Sequence, residues 1–401
     1  MISAIFFMPL NKPLTNITLL LAALCSAIGP NFIPRFKQSA MEPVPLMCMI
    51  WFLIFIGFAL HKYNSHESWS TLGSMKALCY PLIASTLLTS NQQRKYGLYA
   101  FFCAALIVIS ISWIDFLSFY VLHNNVATDR SNQFTVFKDY SQQALMTLVF
   151  FSLAMAFSKE HQIRKTRIVL RIVSMFALLN VLFILQSRSA YIVALPLIMF
   201  WLYQILKNFS SKVKIFISAL VVFIFVCSAL APRAQKRILE ARQDTISYFS
   251  DHAATSVGIR LELWKRSLPI IANAPLFGNG LGQWQIQYFN QTKDLKNFNG
   301  FEMKHPHQES LWILSEQGIV GYLIYVSLLI SLFIYTRRLD KISSSFYRSL
   351  LLIYILFGLA NCVLLDFSHR HLFLLLLCCI PKNSESTEDL IIEKNNEYEF
   401  I

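Results

Sequence analysis

Leu311–Tyr335 reads LWILSEQGIVGYLIYVSLLISLFIY, and Glu316 is its one charged residue. A helix of about 20 mostly apolar residues crosses the hydrocarbon of a bilayer, so this stretch predicts a spanning helix. Comparable runs recur at Pro43–Leu60, Tyr96–Leu122, Ala144–Phe157, Ile168–Leu185, Tyr191–Leu206, Ile215–Ala231 and Tyr347–Leu365. Shorter ones stand at Leu14–Gly29, Met75–Leu88 and Leu372–Ile380. Composition agrees: of 401 residues, 55% are hydrophobic and 14% charged, against about 25% charged in soluble domains. Disorder, a collagen-like chain and a small disulfide scaffold are thereby excluded. The expected fold class is all-α, a polytopic integral membrane protein with about 11–12 transmembrane helices. The twelfth depends on Met1–Gly29.

The net charge is +13, yet no basic run is interleaved with stacking aromatics, so nucleic acid is not an expected partner. Basic residues in a membrane protein mark cytoplasmic loops and anionic lipid contacts instead. Cys25, Cys48, Cys79, Cys103, Cys227, Cys362, Cys378 and Cys379 all lie in apolar segments without C-x-x-C spacing. They read as small buried hydrophobes, not as disulfides or metal ligands.

One set of loops carries Arg35, Lys37, Arg94, Lys95, Lys159, Arg164, Lys165, Arg167, Lys207, Lys212, Lys214, Arg337, Arg338, Lys341 and Arg348. The alternate set carries only Lys62, Lys76, Arg130, Lys138, Arg188 and Arg370. The bias puts the first set in the cytoplasm. The chain then divides into amino-terminal spans (1–231), a large outside loop (232–306), carboxy-terminal spans (307–380) and an acidic cytoplasmic tail (381–401). Within the loop, Ala234–Phe249 predicts a helix with Leu239, Ile246 and Phe249 on one side. Leu261, Trp264, Leu268 and Ile271 predict a second amphipathic helix, with Arg260 near its start. Pro275–Gly282 (PLFGNGLG) is a turn cluster. No strand precedes it and no Gly-Lys-Ser follows, so it is not a nucleotide loop.

Several polar residues are costly at the outer boundary of the membrane. Arg188, in Gln186-Ser187-Arg188-Ser189-Ala190, either snorkels to lipid phosphates or binds an anion in a cavity. Arg260 alone fits a solvated helix face, together with Glu262, Lys265 and Arg266. In Lys304-His305-Pro306-His307-Gln308-Glu309, His305 is expected to cap a helix that Pro306 opens. That places His307 in its first turn, where the dipole keeps imidazole neutral and able to accept a proton. The bland alternative is a polar interfacial histidine. Zinc binding by His305 and His307 is not expected, because side chains two apart on a helix diverge. Glu309 and Glu316 share a face and are expected to pair with an arginine such as Arg188. Gly318 and Gly321 suit close helix approach. Arg370, in Asp366-Phe367-Ser368-His369-Arg370-His371, either joins the basic rim or anchors the chain.

Three segments together resemble the O-antigen ligase/O-antigen polymerase superfamily of bacterial glycosyltransferases. They are Gln186–Ala190, Gly258–Trp264 followed by Pro275–Gly282, and His307–Leu311 continuing into Glu316–Gly321. The resemblance covers about Leu185–Tyr335. It implies a GT-C-like, metal-independent enzyme without cofactor in the bacterial inner membrane. Such an enzyme takes a glycan from undecaprenyl diphosphate at the periplasmic face. In the ligase branch, which the length and single long loop resemble most, the acceptor is the lipid A–core of lipopolysaccharide. In other branches it is a second lipid-linked repeat or a protein hydroxyl. Under this resemblance Arg188 and Arg260 bind the diphosphate and stabilise it as it leaves, and His307 is the base. His305, Glu309 and Arg370 complete the expected substrate-binding set. A transporter or lipid flippase is the main non-enzyme alternative. Such proteins commonly have repeated halves and midplane sites, whereas here no repeat is visible and the polar candidates gather at one face.

Overall fold

The computed structural model describes residues 1–61, 65–122, 134–185, 187–207, 209–230, 232–251, 254–293 and 303–382. Lys62, Arg130, Gln186, part of the long loop (252–253, 294–302) and the acidic tail from 383 lie outside the described residues. All regular structure among the described residues is helical. In chain order the helices are α1 (Ile2–Phe7), α2 (Lys12–Ile28), α3 (Phe32–Ala40), α4 (Pro43–His61), α5 (His66–Met75), α6 (Tyr80–Leu87), α7 (Asn91–Leu122), α8 (Tyr140–Glu160) and α9 (Arg164–Leu179). They continue as α10 (Arg188–Leu206), α11 (Ser211–Leu230), α12 (Pro232–Asp251), α13 (Ser256–Asn273), α14 (Gln283–Thr292), α15 (Glu309–Tyr335), α16 (Lys341–Gly358) and α17 (Phe367–Leu377). A π-helical turn, Asn180–Leu185, extends α9.

Among the described residues six helices are long and apolar enough to cross a membrane: Pro43–Leu60, Asn91–Phe119, Tyr140–Glu160, Arg164–Leu185, Arg188–Leu206 and Glu309–Arg338. The pair Lys12–Ile28 and Phe32–Ala40, bent by 115°, makes a seventh if taken as one span. This is a multi-pass membrane protein. Ile215–Ala231 falls in α11, an apolar helix of 20 residues; the other apolar runs are helical but divided or shorter. Met75–Leu88 is divided between a 3-10 turn and α6. Leu372–Ile380 falls in α17, which has 11 residues, and Tyr347–Leu365 leaves the helix at Gly358.

The bundle is organised around α8, buried from Gln142 to Ser158. Its sequence offers no polar face, and Ala144, Ala154 and Ala156 let neighbouring helices approach closely. The helices α7, α9, α10 and α16 pack around it, and Trp201 Nε1 donates to Ser152 Oγ at 3.3 Å. Peripheral α11 instead exposes Ile215, Phe216 and Phe223, as a lipid-facing helix does. The charge bias is mirrored in space. At one end of the bundle Arg94 pairs with Glu42 at 2.7 Å and donates to the Ile380 carbonyl, and Lys95 pairs with Glu160.

At the opposite end α15 is broken at Gly318, whose φ is 65° and ψ −166°. A break in a spanning helix leaves backbone groups that must find partners within the protein, and the Pro275–Gly282 turn supplies them. Asn279 N and Gly280 N donate to the Ser315 and Glu316 carbonyls at 3.0 and 2.9 Å. In return Ile319 N and Val320 N donate to the Pro275 and Leu276 carbonyls at 2.8 and 3.1 Å. Gly278 and Gly318 both have positive φ, and a Cβ on either would collide with the backbone of the other segment. These glycines therefore serve a loop inserted into a broken helix, which is a different device from the helix contact expected of Gly318.

The long segment departs from its expected register. Helix α12 does carry Leu239, Ile246 and Phe249 on one side, but that side is exposed. In α13 the buried positions are Gly258, Glu262, Leu263, Ser267 and Ile270, while Leu268 is exposed. Leu263 and Ile270 pack with Trp284 and Tyr288 of α14, so the buried stripe follows that partner. Glu262 is not solvated as expected: it is 3% exposed and accepts from Tyr248 Oη and Arg266 Nε, both at 2.7 Å.

Candidate active site

Three helix starts meet at the end of the bundle where α15 is broken. Asp139 caps α8 by accepting from Ser141 N and Gln142 N, both at 2.9 Å. Thr255 caps α13 by accepting from Gly258 N at 3.1 Å. Helix α10 restarts at Arg188 after the π-helical turn, and Tyr191 Oη donates back to the Leu182 carbonyl at 2.7 Å, stapling the two together. The first residues of all three helices line one cavity of about 340 Å³: Tyr140 and Ser141, Ser187 to Ser189, and Thr255, Ser256 and Arg260. Free N–H groups and the positive dipole end make each helix start attractive to anions. Two guanidinium groups add full charges.

The arginines are held differently. Arg188 stands 3.9 Å from Asp244 of α12, a partly exposed pair at the edge of ion-pair range, whose contribution is small. Arg260 makes no hydrogen bond or ion pair among the described residues. Burial, and next the approach of Arg188, lower its pKa, while Tyr140 opposes the shift. Arginine stays protonated under such a shift, so the cavity holds two guanidinium charges beside the Glu240 and Asp244 carboxylates that also line it.

His307 does not line this cavity; the segment before it is held by Trp264, one turn after Arg260 on α13. Trp264 Nε1 donates to the Pro306 carbonyl at 3.2 Å, fixing the approach of the following residue. His307 has a φ of 52°, a strained conformation for a non-glycine residue. Its N–H donates to His305 Nδ1 at 3.3 Å, and the two rings lie 4.5 Å apart. The expected helix start is thus corrected. Gln308 is the N-cap of α15, accepting from Leu311 N at 2.7 Å, and His307 precedes the helix because its left-handed turn ends the approach segment. Burial lowers the His307 pKa, Arg260 lowers it further, and Asp366 opposes both. His305 is pushed down to about 3, again chiefly by burial.

Other expected site residues stand elsewhere. Arg370 does not line the cavity: it is 5% exposed and donates to the Leu364 and Leu365 carbonyls at 2.6 and 3.0 Å. Glu309 is buried and accepts from Leu364 N at 3.3 Å. Glu316 lies beside the N–H groups of Gly282 and Trp284 at the start of α14. Neither carboxylate forms an ion pair with an arginine among the described residues, because backbone donors are nearer. Tyr140 and Asp244 were not singled out from the sequence; Trp264 was read there as part of an apolar stripe and of the Gly258–Trp264 motif, and Asp366 as the head of the Asp366–His371 segment. Among the described residues no group of three or more His, Cys, Asp or Glu side chains is placed to hold a metal ion.

Arg188, Arg260 and His307 fall within a single family match. Residues 173–326 match the O-antigen ligase family. The match begins in α9, ends in α15 beyond the break at Gly318, and leaves Asp366 and Arg370 outside it. An uncharacterized protein of Haemophilus influenzae is 25% identical over 163 residues, covering 38% of this chain and 40% of that relative. The aligned part is thus well under half of either protein.

The pH profile of activity tests the role of His307. An imidazole with a lowered pKa stays neutral below the ordinary histidine range of about 6.5. A reaction needing neutral His307 therefore keeps its rate from pH 8 down past that value and fails only at lower pH. His307→Ala is expected to lower turnover by about 10²–10⁴-fold and to abolish the acid limb. Full activity of this variant at neutral pH would exclude the base.

Proposed function

We propose that the protein is an O-antigen ligase. It transfers a glycan from undecaprenyl diphosphate to the lipid A–core of lipopolysaccharide at the periplasmic face of the bacterial inner membrane. The observation that carries this reading is the shared cavity: Arg188 and Arg260, 72 positions apart in sequence, line it together with three helix starts, and the charge of Arg260 acts on His307. A departing diphosphate needs fixed positive charge, and the guanidinium fork provides it in bidentate form. Neutral His307 takes the proton of the acceptor hydroxyl as its oxygen forms the new bond to the anomeric carbon. The bond from that carbon to the diphosphate breaks, and its electron pair leaves on the phosphate oxygen beside the arginines.

Deletion of the gene followed by gel analysis of lipopolysaccharide tests the assignment. A ligase predicts loss of all long chains, with lipid-linked polymer accumulating. Core bearing one repeat would indicate a polymerase instead. Unchanged lipopolysaccharide with loss of a glycoprotein would indicate a protein acceptor, and unchanged glycans of every kind would overturn the enzymatic reading.

A further inference from the structure

Helix α12 has its polarity reversed. Glu240 and Asp244, one turn apart, line the arginine cavity, and Tyr248 is buried with its Oη donating to Glu262 of α13. The other side carries Leu239, Ile246 and Phe249, which are 61%, 49% and 73% exposed. A helix that borders water turns its polar face outward. Here the carboxylates face the protein and the large apolar side chains face away from it. A strip of such side chains marks an interaction surface.

The path of the chain decides what that surface meets. Helices α10 and α11 have 19 and 20 residues, so each rises about 28–30 Å. Residues 207–210 join them, which brings their far ends, Arg188 and Leu230, to the same level. Helix α11 exposes apolar side chains as far as Leu230, so its lipid-facing surface extends to that level. Helix α12 begins two residues later, at Pro232. Asp244 lies twelve residues further on, a rise of about 18 Å. Were α12 to continue along α11, Asp244 would stand that far above Arg188. Instead its Oδ2 is 3.9 Å from Arg188 Nη1, and Glu240 lines the same cavity as Ser187. Helix α12 therefore turns after α11 and runs across the end of the bundle, where the lipid-facing surface ends.

We propose that α12 is an interfacial helix, seated by Leu239, Ile246 and Phe249 in the lipid leaflet at the cavity end of the bundle. One apolar strip opposite a charged face is the form such helices take. Arg242 follows Leu239 by three positions and is exposed. At a bilayer surface an arginine there lays its stem on apolar surface and reaches lipid phosphates. The cavity wall that carries Glu240 and Asp244 is thereby held at headgroup depth, and a lipid-borne anion reaches the arginines without leaving the leaflet. This inference does not rest on the ligase reading, since a transporter with the same α12 would be seated in the same way.

Fluorescence quenching of the full-length protein in nanodiscs tests the placement. Tryptophan is introduced singly by Leu239→Trp, Ile246→Trp and Phe249→Trp, and the added emission is read as the difference from wild type. Phe223→Trp, on the exposed side of α11, is the lipid reference, and Lys265→Trp, at an exposed position of α13, is the water reference. The three α12 variants should be quenched several-fold more than Lys265→Trp by lipids brominated along their acyl chains, and several-fold less by iodide. They should match Phe223→Trp in both respects. Iodide quenching as strong as that of Lys265→Trp would put this side of α12 in water and overturn the proposal. Protection from both quenchers would assign the strip to a second copy of the chain and overturn it equally. Should one variant fail to accumulate, the other two positions of the strip decide.

Discussion

Arg260→Ala lowers glycan transfer by about 10³-fold while the protein still accumulates in the membrane. The two halves of this expectation have separate causes. The guanidinium makes no hydrogen bond or ion pair among the described residues, so its removal leaves no buried partner stranded, and burial already works against its charge. Under the proposed function, however, the departing diphosphate would lose one of the two guanidinium groups that line the cavity. Arg260→Lys keeps the charge but loses the planar fork, and should recover only a minor part of the rate. Arg188→Ala should behave similarly, with a milder loss because three helix starts remain. Transfer measured on purified protein, with expression judged separately, checks both. Normal transfer by either alanine variant would remove that arginine from the mechanism.

Gly278→Ala should prevent the protein from accumulating at all. Its φ of 70° costs an alanine about 1–2 kcal/mol. The new Cβ would also collide with the backbone at Glu316 and Gln317, which cannot move without giving up the bonds that fill the break in α15. The sum is expected to reach about 4 kcal/mol, among the larger single-residue effects, from a total stability of about 5–15 kcal/mol. Gly57→Ala is the control. A Cβ there meets nothing within 4 Å, and alanine favours a helix by up to about 1 kcal/mol over glycine. Membrane yield and thermal unfolding of the two variants compare them directly. A Gly278→Ala protein as stable as Gly57→Ala would mean that the turn is not held as described.

Much of this architecture was legible because its causes are local. Apolar runs declared the spans, and the basic bias sorted the chain ends before any contact was known. Arg94, Lys95 and Lys159 do gather at one end, and Arg188 and Arg260 at the other. Legibility ended where the partner decides. The stripe Leu261–Trp264–Leu268–Ile271 satisfies helical spacing as well as the face actually buried, and only the packing of α14 chooses Leu263 and Ile270. Glu262 looked solvated because nothing in its neighbourhood announces Tyr248, which comes from another helix.

The site divides in the same way. The amino-acid sequence alone determined that the protein spans a membrane many times and that Arg188, Arg260 and His307 stand at costly positions, because hydropathy and charge act residue by residue. Tertiary structure decided that the two arginines share a cavity, that Trp264 holds the backbone just before His307, and that Arg370 and Glu309 are occupied by backbone groups. Those outcomes depend on which helix starts converge when α8, α10 and α13 pack, and a convergence of distant segments leaves no periodic trace in any one of them.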